Sequence, residues 1–317
     1  MAFFTVVIPL FNKSNYITNT LKSVLAQTFQ DFEVIIVEDC STDASLEIVS
    51  KIQSDKIRII QHEKNKGLSA SRNTGIKNAN TKHISFLDAD DLWKPNYLET
   101  IYSLIQKFPE CKLFATNYEE IYPNQLSLIP TTKLINQEKE TVIADFFESN
   151  LSQHIYCCCS LCVDKSVFET VGYYDEKITY GEDVDFNIRA NNVFLLAYST
   201  EVLVSYILYT ENQITNTQLK NKTITNFDAY ESLGIVKPSL KKYLDFNRYI
   251  MAKYYKMEGD FESYKKIKAR ISNDSTISGL NYKQRLLLKA PRFMLTIIKK
   301  IKLFFTLKGY KITTYSN

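Results

Sequence analysis

The chain reads as α/β: a mostly parallel sheet with helices on both faces, then a helical C-terminal region ending in a basic amphipathic tail. Three observations predict this. Short apolar runs alternate with helix-period segments through residues 1–117. The strand runs are apolar at nearly every position, as in a sheet covered on both sides. From Ser275 onward there are nine Lys/Arg and no acid, so the totals of 39 basic and 35 acidic residues leave 30 and 35 before it. The body is near −5 and the tail +9, an asymmetry on the scale of a domain. With 317 residues, 45% of them hydrophobic, there is enough chain for a large domain plus an appendage, and the boundary is expected near 214/215.

The elements follow in order. Phe4–Ile8 is a strand. Asn15–Gln27 is a helix with Ile17, Leu21, Val24 and Leu25 on one face. Phe32–Val37 is the second strand, Ala44–Ile52 a helix, Ile57–Ile60 a short strand and Leu68–Ala79 a helix. Ile84–Leu87 is a strand, Pro95–Phe108 a helix with Pro in its first turn, and Lys112–Thr116 a strand. Residues 118–150 are irregular and read as a flap or connection. Strands and a helix return over 151–205, and 215–275 is mainly helical and Tyr-rich. From Phe293 the apolar residues Phe293, Met294, Ile297, Ile298, Ile301, Phe304 and Phe305 recur at helical spacing, with Lys299, Lys300 and Lys302 elsewhere on the wheel. The longest uncharged run there is six residues, too short to span a bilayer. A basic, aromatic amphipathic helix over about 280–311 is expected to lie on an anionic membrane surface; the competing reading docks it on the body with its Lys in water.

Six Cys are present: Cys40, Cys111, Cys157, Cys158, Cys159 and Cys162. Met1-Ala-Phe-Phe4 leads straight into a strand without a basic n-region or long h-region, so a reducing cytoplasm is expected, with the protein peripheral at the inner face of the cell membrane. Cys159 and Cys162 have metal-like spacing, but no second Cys pair follows; buried thiols are expected.

Chemistry gathers in the loops after strands. Asp88-Ala-Asp90-Asp91 puts three carboxylates directly after an apolar strand, and such a cluster repels itself unless a cation intervenes. Oxygen ligands suit Mg²⁺ or Mn²⁺, and open α/β sheets keep ligands at the carboxyl ends of their strands. Glu38-Asp39 ends the second strand, where an acid can accept hydrogen bonds from a ribose or base; Ser41 to Asp43 can cap the next helix. Gly67 opens a helix whose first turns are small and include Arg72, a pattern suited to phosphate. Far downstream, Gly181-Glu182-Asp183 opens another helix with acids.

Six segments then align in order with one family: Val6–Asn12, Ser23–Thr28, Glu38–Asp43, Asn65–Asn73, Phe86–Asp91 and Gly181–Asp183. Over about residues 4–200 the chain resembles the family-2 glycosyltransferases, inverting enzymes of the Rossmann-like GT-A fold. The resemblance implies roles. Pro9, Phe11 and Asn12 line the nucleotide pocket, and Asp39 binds the base, commonly uracil. Arg72 and Lys66 lie near the diphosphate. Asp88 faces the ribose and, with Asp90, forms the Asp-x-Asp motif that holds Mg²⁺ or Mn²⁺. Asp183 is the catalytic base and Glu182 contacts the acceptor. The expected activity moves one sugar from a nucleotide-sugar to a hydroxyl of a surface-polysaccharide or lipid-linked acceptor, with no nucleic acid involved. Residues 215–317 lie outside the resemblance.

Cys40 stands where the family usually has Gly or another small turn residue, and Glu38 where Asp is common. Trp93 is the only Trp, so the Gln-x-x-Arg-Trp signature of processive synthases cannot occur. His62, His83 and His154 all lie too early for an extra metal ligand. A nucleotidyltransferase would want a Gly-rich phosphate loop after strand one, and Pro9-Leu-Phe-Asn-Lys13 is not one. A non-catalytic binding module would be favoured by loss of the Asp-x-Asp or of Asp183, and both are present.

Overall fold

The computed structural model describes residues 2–132, 134 and 138–310. Lys311 of the basic tail, and 133 and 135–137 within the irregular stretch, lie outside the described residues. The strands are β1 (Phe4–Leu10), β2 (Phe32–Glu38), β3 (Ile57–Gln61), β4 (His83–Phe86), β5 (Leu92–Trp93), β6 (Leu113–Ile121), β7 (Ser127–Leu128), β8 (Glu140–Val142), β9 (Leu161–Asp164) and β10 (Leu196–Ile207). The helices of the first two-thirds are α1 (Ile17–Leu25), α2 (Ser45–Ser50), α3 (Leu68–Asn78), α4 (Tyr97–Lys107), α5 (Phe146–Ser149), α6 (Ser166–Val171) and α7 (Glu182–Val193). The remainder is helical: α8 (Glu231–Val236), α9 (Pro238–Glu258), α10 (Phe261–Ala269), α11 (Ser275–Ser278), α12 (Tyr282–Lys289) and α13 (Arg292–Leu307).

One sheet runs in the order β3-β2-β1-β4-β9-β6-β10-β5, with β7 on β6 and β8 on β10. β3, β2, β1 and β4 are parallel, as are β6 and β10. β9 is antiparallel to both its neighbours, so the sheet is mixed at its centre. Side chains alternate across it. Phe4, Val6 and Ile8 pack against α1 and α4 through Ile17, Leu21, Val24, Leu98 and Ile101. Val7, Ile35 and Phe86 face the opposite layer, which includes Ile76, Phe168 and Phe186 and continues into Leu240, Tyr243 and Tyr249 of α9. The C-terminal helices thus share a core with the sheet. Gly75 sets the approach of α3 to β1, since a Cβ there would sit 2.3 Å from a Val7 methyl.

Expected boundaries shift at several ends. α1 starts at Ile17 rather than Asn15, and β4 begins one residue early. α4 starts at Tyr97 behind Asn96, which leaves Pro95 outside its first turn. β6 extends past Thr116 because β10 continues alongside it, pairing Ile121 with Ile207.

α13 is docked on α9. Leu295 and Thr306 are its buried residues. Arg292 Nε donates to the Met257 carbonyl (2.9 Å), Lys299 sits 5.9 Å from the Tyr254 ring, and Asn124 Nδ2 donates to the Leu307 carbonyl (2.9 Å). Phe293, Ile297, Ile301 and Phe304 point outward at 48–64% exposure. The helix is therefore not free: it is docked, with Lys299, Lys300 and Lys302 exposed as well as much of its apolar stripe. Among the described residues no helix is long and apolar enough to cross a membrane.

Candidate active site

The parallel register aligns Leu10 with Glu38 and Glu38 with Gln61, so the loops after β1, β2 and β3 open on one edge, beside the loop after β4. Pro9 is buried within β1 opposite Val37, whereas Phe11 is exposed. Asn12 adopts φ +52° and its Oδ1 accepts from Thr42 N at 2.7 Å, joining the first two loops. The Glu38 carboxylate is engaged by its own loop: it accepts from Cys40 N (3.2 Å) and Ser41 N (2.6 Å). Cys40 sits at φ +63°, left-handed backbone that glycine adopts without strain, which explains the small residue usual there. Asp43 accepts from Ser45 N (2.9 Å) at the start of α2; Ser41 and Thr42 instead engage the β1 loop.

Asp39 is buried and heavily used. Its Oδ1 lies 2.7 Å from His62 Nδ1 and accepts from Lys66 N at 2.8 Å; its Oδ2 accepts from Gly67 N at 2.8 Å. An ionised carboxylate offers about four acceptor positions, so about one remains for a ligand. Lys66 meets Asp39 through its backbone while its side chain is exposed. His62, which no local pattern singles out, bridges Asp39 to Thr74 Oγ1 (2.9 Å).

Gly67 (φ +89°) starts α3, and Ser69, Ala70 and Ser71 let this helix sit deep enough to bury Arg72. Arg72 Nη2 donates to Asp88 Oδ1 at 2.9 Å and Nη1 to Glu182 Oε1 at 2.6 Å, with the guanidinium 5.5 Å from the Tyr174 ring. Burial works against its charge, but the adjacent Cys158, Asp88 and Glu182 hold its pKa well above the ordinary value. Its Nε is buried without a hydrogen-bond partner.

The three acids after β4 go three ways. Asp88 pairs with Arg72 and is 28% exposed, so its other oxygen is open. Asp90 is buried against Lys13, Nζ to Oδ2 at 2.6 Å, with Thr210 Oγ1 on the same oxygen. Asp91 is fully buried; Oδ1 accepts from Ile207 N (2.8 Å) and Oδ2 meets Cys159 Sγ (2.9 Å). Burial, with Asp90 and Asp88 nearby, pushes the Asp91 carboxyl well above the usual range. Asp88, Asp91 and Cys159 have donor atoms within 4.8 Å of one another, a possible acidic metal-binding group. Asp88 suits a divalent ion. Asp91 is committed to the fold, and Asp90 has its Oδ2 taken by Lys13 and Thr210.

Gly181 (φ +72°) turns the chain into α7 and aims its first acids at this floor. Glu182 is buried on Arg72, and Asp183 is half-buried beside it. Burial raises both carboxyl pKa values, with Arg72 opposing the rise in each. Asp185, the third acid, is structural: it holds Arg189 (2.9 and 2.7 Å) and Tyr230. The six Cys are free thiols; Cys159 and Cys162 are buried as expected, Cys157 and Cys158 only half so.

The structure thus brings Arg72, Asp88, Glu182 and Asp183 together, with Asp39 and Lys66 on the loops after β2 and β3 and Asp90 set apart on Lys13. Lys13, Cys158, Tyr174 and Thr210 join the site without a sequence signal beyond the position of Lys13 after β1.

Residues 5–172, more than half of the chain, match the family described as Glycosyl transferase family 2. An uncharacterized glycosyltransferase of Rickettsia prowazekii, RP339, is 28% identical over 241 residues, spanning 75% of this chain and 73% of that protein. A putative teichuronic acid biosynthesis glycosyltransferase of Bacillus subtilis, TuaG, is 37% identical over 97 residues, 30% of this chain and 38% of that one. Among solved structures, S. aureus TarS 1–349 in complex with UDP-GlcNAc superposes with a TM-score of 0.60 at 20% identity, covering 86% of this chain and 77% of that one. The ordered motifs, the mixed sheet and these similarities converge: the chain belongs to glycosyl transferase family 2 and is a glycosyltransferase of the GT-A fold.

Proposed function

We propose that the protein is an inverting, divalent-metal-dependent transferase that moves one sugar from a nucleotide-sugar, UDP-linked, to a hydroxyl of a surface-polysaccharide or lipid-linked glycan precursor. One observation carries this reading. A single buried guanidinium joins Asp88, at the end of a donor-side strand, to Glu182 at the head of α7, with Asp183 next to it. Solved TarS structures hold UDP-GlcNAc or UDP, and TuaG is named for teichuronic acid biosynthesis, which supports the donor and acceptor classes.

In this reading Asp183 takes the proton of the acceptor hydroxyl as its oxygen bonds the anomeric carbon. The bond from that carbon to the diphosphate breaks and its electron pair leaves with the nucleotide. A positioned base is worth about 10²–10⁴-fold, and burial moves the Asp183 pKa toward neutrality, as such a base requires. Glu182, fixed by Arg72, orients the acceptor. Asp39, Pro9, Phe11 and Asn12 receive the nucleoside, and Arg72 with Lys66 stands beside the diphosphate. Asp88 and Asp90 would hold Mg²⁺ or Mn²⁺, which when bound offsets charge on the departing diphosphate. We read residues 1–214 as the catalytic unit and 215–317 as its helical support. The outward apolar face of α13, beside cations, suits an anionic membrane surface, so the enzyme works peripherally at the cytoplasmic face of the cell membrane.

The test is a pair of variants, Asp183→Asn and Asp88→Asn, each measured for sugar transfer and for binding of UDP with Mn²⁺. Asp183→Asn is expected to lose transfer by at least about 10²-fold and keep binding. Asp88→Asn is expected to lose both. Equal loss of binding in the two variants overturns the separate roles.

A further inference from the structure

Lys13 occupies Asp90 more fully than a surface ion pair would. Its Nζ lies 2.6 Å from Asp90 Oδ2, 3.2 Å from Thr210 Oγ1 and 2.6 Å from the Glu211 carbonyl, so all three ammonium protons find acceptors. The Lys13 and Asp90 side chains are only 10% and 9% exposed. Lys13 therefore ties the turn after β10 to the loop after β1. Weaker contacts surround it: Asn15 Nδ2 to Glu211 Oε2 at 3.1 Å, Glu211 N to Tyr16 Oη at 3.4 Å, and Asn212 Nδ2 to the Asn12 carbonyl at 3.5 Å. Tyr209 and Asn212 hold the turn in left-handed backbone, φ +63° and +57°, a shape that Asn adopts readily and a bulky Tyr seldom does.

We propose that Lys13 is a resident counter-ion that competes with the divalent ion for Asp90, and that its departure unlatches the 209–213 turn over the donor side. This rests on the reading of Asp90 as a metal ligand. Lys13 and Thr210 both use Oδ2, so the competition is one of charge: an ammonium and a divalent ion on one buried carboxylate repel each other, and in a low-dielectric position that repulsion is poorly screened. Once Lys13 moves, Thr210 and the Glu211 carbonyl lose their shared donor; the turn keeps the Thr210 hydroxyl on Asp90, its internal Tyr209 N–Gln213 Oε1 bond (2.8 Å) and the contacts of 3.1–3.5 Å, and is loosened. The two events are linked in both directions: whatever loosens the turn must raise ion affinity by the same factor. In this way the ion that neutralises the diphosphate also opens the wall beside Asn12, and an ion-free enzyme keeps that wall closed.

The experiment uses the full chain, Mn²⁺ alone as the probe and cleavage at Glu211 by a Glu-specific protease as the second readout. Wild type should be cut at Glu211 slowly without Mn²⁺ and faster with it. Lys13→Met, which keeps the stem and removes the charge, should bind Mn²⁺ about tenfold more tightly and be cut rapidly without it. Thr210→Val, which leaves Lys13 in place, should shift both readouts the same way by a smaller factor. The proposal is overturned if neither variant binds Mn²⁺ more tightly than wild type, or if Mn²⁺ leaves wild-type cleavage unchanged. Asp90→Asn separates the two readings. If it binds Mn²⁺ as wild type does, the metal role of Asp90 fails; if it loses Mn²⁺ while Lys13→Met gains nothing, only the competition fails.

Discussion

Arg72 and Glu182 are 110 residues apart in sequence and 2.6 Å apart in the folded chain. With Asp88 on the other guanidinium nitrogen, the pair welds the N-terminal sheet to the head of α7. Replacing Arg72 with Met leaves two largely buried carboxylates without their cation, expected to cost about 3–5 kcal/mol in denaturant unfolding. Adding Glu182→Gln to that variant should recover part of the loss, because one uncompensated charge is removed. Arg72→Lys keeps the charge but cannot span both acids, and should fall between wild type and Arg72→Met.

Asp91 and its neighbours answer differently to substitution. Because burial disfavours the charge on this carboxyl and the amide is nearly isosteric, Asp91→Asn keeps the acceptor for Ile207 N and should stay within about 1 kcal/mol of wild type. Asp91→Ala orphans that N–H and should cost about 1–3 kcal/mol. Thermal melts of the two variants check this, and equal losses would contradict the acceptor role of the Asp91 side chain.

The expectation from sequence was a carboxylate cluster waiting for one cation. The three acids were legible because packing cannot explain them, but their division among Arg72, Lys13 and Ile207 was not, since each partner comes from a distant segment. His62 was illegible for the same reason; its value lies in Asp39 and Thr74, which no local pattern links to it. Strands were legible because they are apolar throughout, yet an apolar run has no direction, and so the reversal of β9 could not be read. In α13 the spacing gave the helix but not its docked side, because both of its faces carry apolar residues.

His83 should make the fold sensitive to mild acid. Burial, outweighing the nearby Asp164, lowers its pKa from 6.5 to about 4. Above pH 6.5 it is neutral in both states. As pH falls below that, the unfolded chain takes up the proton first, so stability declines down to about pH 4. The loss should reach roughly 2 kcal/mol by pH 5. His83→Phe, which preserves the stack on Phe3, should flatten this part of the pH–stability curve measured by urea melts.

The outward face of α13 can be tested without disturbing the body. Phe293→Ser, Ile297→Ser and Phe304→Ser together should weaken binding to phosphatidylglycerol vesicles by at least about 30-fold while the melting temperature stays near wild type. Unchanged vesicle binding would contradict the membrane reading of the tail.

α13 is gripped at both ends, by Arg292 on the Met257 carbonyl and by Asn124 on the Leu307 carbonyl. A helix fixed in this way behaves as an outrigger and not as a leash. If its outer face rests on a bilayer, the whole enzyme has one permitted tilt and its catalytic floor one fixed height above the lipid surface. The length of an acceptor's stalk, from bilayer to hydroxyl, would then be measured by the protein as a ruler measures it.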